Sequence, residues 1–262
     1  MAVALLSSAN SDSQTIDEAV HLSAGYSALR TGDFRLNPEH PPLIKLLSAA
    51  PLLALRLDLP TNHPSWQSRD EWEFGRQLLY HNRVPAHEIL LTGRLANIVL
   101  TLLLVLAITM VSRRLFGWTG AFLSLAVAAL DPTMIAHGHL ITTDIGVALF
   151  FFLSIVFFAR FLQSGRRRDQ SLFFAAFVAT QMSKFSAVIL FPTVIALRLI
   201  WGWQHGESWR KMLLASLKLF GQTLLATIVV AFLLYGVSFQ RIGDDPRIAQ
   251  LYIDRAQIVA TN

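Results

Sequence analysis

Five stretches of this chain are almost unbroken in apolar residues: 95–111, 118–130, 145–163, 171–203 with an interruption at Lys184, and 212–236. A soluble core has no use for several such runs, whereas crossing a bilayer takes about 20 apolar residues. Hydrophobic residues make up 53% of the sequence and charged residues 15%, where soluble domains carry roughly 25% charge. The mean hydropathy is +0.48. Lipid leaves the backbone no hydrogen-bond partner but itself, so runs of this length fold as helices. The expected class is all-α, a polytopic helical membrane protein.

The net charge of +5 would suit a nucleic-acid binder, but its distribution argues against one. Arg113-Arg114, Arg166-Arg167-Arg168 and Arg210-Lys211 each lie in a short link between apolar runs, as cytoplasmic loops of membrane proteins do. With these links inside, 95–112 runs inward, 117–131 returns outward and 145–163 runs inward again. The stretch 171–203 is then a hairpin turning near Lys184, and 212–236 exits. The expected organisation is a single transmembrane domain over 1–262, incomplete at both ends. It comprises an outer loop at 8–92, membrane helices at 93–237 and an outer tail at 238–262. Zero cysteines exclude disulfides and thiolate metal sites.

The long outer segment has structure of its own. Thr15-x-x-Glu18 is a capping box opening a helix. "PPLIKLLSAAPLLALRL" begins with prolines and carries Lys45 and Arg56, and reads as a helix lying in the membrane interface. "RDEWEFGRQLLYHNR" is a third short helix, with Trp66 and Trp72 suited to headgroup level. On this topology the outer face collects Asp17, Glu18, His21, Glu39, His40, Asp131, His137, His139 and Asp144. Each has a plain structural explanation. Asp17, Glu18 and Asp144 sit at helix starts where acids cap; Glu39-His40 can be a polar helix entrance, and His137-x-His139 a surface loop. Lys184 is harder to dismiss, because a lone ammonium at the bilayer centre costs at least about 2.5 kcal/mol. It needs an anion or the outer water.

"TIDEAVHLSAGYSAL", "GDFRLNPEHPPLIKLLSAAPLL", "LDPTMIAHGHLITTDIGVALFFFL" and "QMSKFSAVILFP" resemble, in order, segments of glycosyltransferase family 39. That family includes protein O-mannosyltransferases and is related to the bacterial aminoarabinose transferases that modify lipid A. The resemblance implies a GT-C fold with interfacial helices in its first outer loop. It implies that Asp17 is the catalytic base, that Glu39 before Pro41-Pro42 helps form the active site, and that Asp144 and Lys184 match the family's outer-loop aspartate and lysine. The aminoarabinose transferases usually have lysine where this chain has His40, which makes His40 a candidate metal ligand or neutral donor.

The expected activity is transfer of a sugar from a polyprenyl-phosphate carrier to an acceptor hydroxyl of a protein, lipid or glycan, with inversion, on the outer side of the plasma membrane. Asp17 takes the proton; Glu18 and Asp144 orient hydroxyls. Lys184 and Arg94 meet the leaving phosphate, and a divalent metal held by Glu39 with His40 or His139 shares that task. No nucleic-acid partner is expected. Two other classes fit the same polar residues. One is a transporter or channel, disfavoured because no repeated halves are visible. The other is an inactive chain acting through a membrane partner.

Overall fold

The computed structural model describes the backbone of residues 1–242 and the side chains of residues 1–236. The tail expected to reach residue 262 lies outside the described residues. Every regular element described is helical. A short helix α1 (Ala2–Ser11) is followed by α2 (Ile16–Thr31), α3 (Leu43–Ala49) running into a 3-10 turn (Ala50–Leu55), α4 (Pro64–Ser68) and α5 (Glu71–Tyr80). Then come α6 (Ala86–Leu130), α7 (Pro132–His137), α8 (Asp144–Ser164), α9 (Arg167–Gln181), a 3-10 turn (Phe185–Ile189), α10 (Leu190–Gln204) and α11 (Trp209–Ile242).

Four of these helical stretches are long and apolar enough to cross a membrane: 86–130, 144–164, 185–204 and 209–236. α8, at 21 residues, is about 31 Å long at 1.5 Å per residue, against a hydrocarbon core of about 30 Å. The two other expected crossings are shorter limbs. α6 breaks at Gly117, whose φ of 69° and ψ of −160° belong to a conformation open mainly to glycine. The limb after it folds back, so that Met134 of α7 packs against the cluster that holds Leu100 and Leu104 of the first limb. Arg113 lies over the Trp118 ring at this bend, 3.8 Å from its centroid.

α9 has 15 residues and is about 22 Å long, less than the hydrocarbon core. The buried hydroxyl pair Ser154–Thr180, at 3.1 Å, sets its last turn beside the middle of α8. The turn Met182–Lys184 is therefore recessed below the start of α8. Below that pair, Phe158, Phe173, Phe177, Phe191 and Phe220 pack ring against ring, tilted or edge to face, across α8, α9, α10 and α11. Such ring pairs are favourable beyond their burial.

The segment before α6 is a packed layer, not a set of helices floating in the interface. α2 is buried along nearly its whole length, from Glu18 to Ala28. α3 and its 3-10 turn sit between α2 and α6, with Ile44, Lys45, Ser48, Ala49 and Leu52 buried. A Cβ on Gly25 would overlap the Lys45 carbonyl, so glycine is what lets these two helices touch. Two expectations change here. Lys45 is 5% exposed instead of interfacial. Trp66 is buried under the Arg35 guanidinium at 4.5 Å and against Phe74 at 5.3 Å, while Trp72 is exposed as expected.

Candidate functional site

Asp144 opens α8, and Lys184 follows the recessed turn after α9. Their side chains meet, with Lys184 Nζ donating to Asp144 Oδ1 at 2.6 Å. Neither is buried: the side chains are 62% and 29% exposed respectively. The lysine thus finds its anion 40 residues away in sequence. An ammonium has three N–H donors, and this is the single bond Lys184 makes among the described residues.

The Pro-Pro segment comes to the same place through its backbone. The N–H of Leu43 donates to the Met182 carbonyl at 3.0 Å, tying the start of α3 to the recessed turn. Ahead of it, Asn37 takes a left-handed conformation with φ of 51°, which asparagine tolerates better than most residues. Lys45 reaches back from α3 and donates to the Asn37 carbonyl at 2.6 Å, to Asn37 Oδ1 at 3.3 Å and to the His40 carbonyl at 2.8 Å. One buried ammonium therefore holds the loop that presents Glu39 and His40. Its burial pushes the Lys45 pKa down to about 8, against the opposing pull of Glu71 and Glu39.

The His40 ring meets the His21 ring edge to face, 5.5 Å apart. His21 Nδ1 lies 2.9 Å from the Ile141 carbonyl. A carbonyl only accepts, so Nδ1 carries the proton and Nε2 presents a lone pair. Burial lowers the His21 pKa, assisted by the charges of Lys45 and His40. Burial likewise lowers that of His40, with Lys184 and Lys45 adding to the effect and Glu39 and Asp144 opposing it. Both rings are thus held toward the neutral form. Asp17 lies one helical turn before His21 in α2, is exposed, and makes no ion pair among the described residues. Its charge acts on His21. Asp17, His21, Glu39, His40, Asp144 and Lys184 accordingly share one electrostatic neighbourhood.

Three expected members go elsewhere. Arg94 is 1% exposed and all five of its N–H donors are taken: Nε and Nη2 by the Glu18 carboxylate, Nη1 by the carbonyls of Ala9 and Asp12, and Nη2 again by Ser13. It has no donor left for a phosphate. Glu18 is fully buried; besides Arg94 it accepts from the N–H of Thr15 at 2.9 Å and of Ile141 at 3.2 Å. Burial opposes its ionisation, but the Arg94 bonds, the Thr15 N–H, the Arg94 charge and the Ile141 N–H outweigh this and hold its pKa below the usual value. This pair docks α1, α2, α6 and the loop before α8, and cannot also orient a substrate hydroxyl. His139 is buried beside Asp12, at 3.1 Å, under α1. The metal set expected from Glu39, His40 and His139 does not fit the geometry: among the described residues no three His, Asp or Glu side chains converge as ligands.

Beside the cluster lies a cavity of about 470 Å³, walled by α2, the Pro-Pro segment, the turn after α9 and α11. Ala28, Pro42, Phe185, Val188 and Ala231 make most of it apolar; Asn37, Lys45 and Gln181 line it as well. Met182 and Phe185, close on either side of Lys184 in sequence, both line this cavity, and the Lys184 ammonium itself meets the exposed Asp144. Sequence reasoning passed over His21, Lys45 and Asn37 as site-forming residues. The one available signal was His21 at four residues from Asp17, on the same helix face.

Residues 88–235 match the family described as dolichyl-phosphate-mannose-protein mannosyltransferase. The matched region contains Asp144 and Lys184 and stops short of α2 and the Pro-Pro segment. No curated protein and no solved structure matches the chain. The matched residues are more than half of the sequence, the architecture is that of a multi-pass helical membrane protein, and the chain belongs to the dolichyl-phosphate-mannose-protein mannosyltransferase family of membrane glycosyltransferases.

Proposed function

We propose that the protein transfers a sugar from a polyprenyl-phosphate carrier to an acceptor hydroxyl, with inversion, at the membrane face where Asp144 and Lys184 meet. The observation that carries this reading is the position of Lys184. Its ammonium meets the exposed Asp144, which suits a site open to a sugar, while Met182 and Phe185 on either side of it in sequence line an apolar cavity that suits a prenyl chain. With one donor on Asp144, it retains two for the oxygens of a carrier phosphate.

In the proposed step the acceptor oxygen attacks the anomeric carbon from the side opposite the phosphate. The bond from that carbon to the phosphate oxygen breaks, and its electron pair leaves with the polyprenyl phosphate. Asp17 takes the hydroxyl proton. The leaving phosphate gains charge as the bond breaks, and Lys184 stabilises it there more than in the ground state. His40, held neutral, faces this charge as a hydrogen-bond partner, and Asp144 holds Lys184 in place. No step runs through a metal.

The test is Lys184→Met, which keeps most of the side chain's length and removes its charge. Carrier affinity should fall by roughly tenfold or more, the value of a charge-assisted bond to phosphate, with the melting temperature nearly unchanged. Unaltered affinity would remove Lys184 from the phosphate and with it the reading of the cavity.

A further inference from the structure

A polar cavity of about 340 Å³ lies at the other end of the helices, where α8, α9, α10 and α11 meet. Arg198, Lys218, Gln170 and Gln222 line it together with Glu207. It is far from the Asp144–Lys184 end, because α8 and the stretch 185–204 each run the membrane thickness between the two. Its charges do not cancel. Glu207 binds Arg198 Nη2 at 2.7 Å and is already shared with Lys211 at 3.2 Å. Arg198 Nη1 is buried with no hydrogen-bond partner. Lys218, exposed on α11, has no carboxylate within ion-pair distance among the described residues. Two cations thus face the single carboxylate of the cavity, with the buried Arg198 Nη1 left without a partner, and polar groups at membrane depth without partners mark ligand positions.

We propose that this cavity binds the phosphodiester headgroup of an anionic phospholipid. The anion follows from the surplus of cations and unpaired donors. Its source as a lipid follows from the walls: Phe158, Phe161 and Leu162 line the same cavity and offer apolar surface for acyl chains. The exposed Trp203 and Trp209 stand at the helix ends, where indoles settle at headgroup level. Lys218 lies nine residues inside the start of α11, about 13 Å along the axis. Its long stem has the reach to bring the ammonium back toward that level. Pockets of this kind between helices hold acidic headgroups. The inference is independent of the sugar-transfer reading, which concerns the opposite membrane face.

The experiment is native mass spectrometry of the purified protein titrated with phosphatidylglycerol or phosphatidylcholine. Phosphatidylglycerol should bind preferentially, and Lys218→Gln should reduce that preference about fivefold, the share of one cation near a headgroup. Arg168→Gln, at an exposed arginine outside the cavity, should leave it unchanged. Equal binding of the two lipids overturns the proposal. So does an equal loss in Lys218→Gln and Arg168→Gln, which would mean diffuse attraction to the basic links. Millimolar inorganic phosphate should fail to displace the lipid; displacement by phosphate alone would assign the cavity to a free anion and overturn the lipid assignment.

Discussion

Asp17 and Glu18 are neighbours on one helical turn, yet the fold gives them opposite surroundings. Glu18 turns inward to Arg94 and two backbone N–H groups, and Asp17 turns outward with no ion pair among the described residues. The capping task falls to Thr15 and Glu18, so Asp17 contributes to α2 only through the helix dipole, about 0.3–1 kcal/mol. Asp17→Asn should therefore leave the melting temperature almost unmoved while lowering turnover roughly 100-fold or more, because it deletes the proton acceptor and keeps the shape. Near-normal turnover with a polyprenyl-phosphate sugar would give the base to another group, with His21 Nε2 the nearest lone pair in α2. Glu18→Gln should do the reverse. Leaving Arg94 buried without its counter-ion costs roughly 3–5 kcal/mol, read as a large loss of melting temperature. The pH dependence has a definite sign. A carboxylate whose folded pKa lies below its unfolded value of 4.5 stabilises fully above that value. Its contribution is lost as pH falls through the folded value. Acid melting that is the same in Glu18→Gln and the parent would refute the assignment.

At the scale of elements, the apolar runs announced the helices of the membrane layer, because periodicity and length survive any packing arrangement. Two things in the layer of α2 to α5 were not legible. The first is which face of a short helix is buried. Lys45 looks interfacial on a helix drawn alone and becomes buried only because Gly25 lets α2 approach. The second is the pairing of distant residues: Arg94 reads as a free cation at a helix end until Glu18, 76 residues earlier, is placed against it. Lys184 and Asp144 were each singled out in the sequence, but their meeting depends on α9 ending short of α8, which composition does not reveal. The burial of Lys45 makes a measurable prediction. Its pKa is 10.5 unfolded and about 8 folded, so between those values the unfolded chain binds more protons and stability rises with pH. The buried ammonium's penalty is present in full below pH 8 and is relieved above it, by an amount of up to about 3 kcal/mol. The difference in melting temperature between the parent and Lys45→Met should therefore shift in the parent's favour from pH 8 to 10. A flat difference would show that Lys45 titrates normally.

For the whole molecule, the decisive arrangement is that polar chemistry divides between two ends of one helical layer. α8 carries Asp144 at its start and leads to Arg166–Arg168 just past its end; α10 begins after Lys184 and leads to Arg210–Lys211. The basic links all lie at the end away from the Asp144–Lys184 pair, and short basic loops stay cytoplasmic during insertion. Sugar transfer is thereby predicted to face the outer compartment, together with α2 to α5. The 8–92 segment carries arginines and lysines of its own, but it exceeds the length of about 60 residues over which the bias acts. Two exposed positions test this without touching the site: Ser68 in α4 and Arg168 in α9. In Ser68→Cys a membrane-impermeant maleimide should label intact cells, since the parent has no cysteine. In Arg168→Cys it should label only after permeabilisation. Arg168 is preferred to Ser164, whose hydroxyl donates to Asp169 at 2.6 Å and holds the α8–α9 link. Labelling of Arg168→Cys in intact cells would invert the molecule. The acceptor and the carrier phosphate would then have to be supplied from the cytoplasm, and the cavity holding Arg198 and Lys218 would face the outer leaflet.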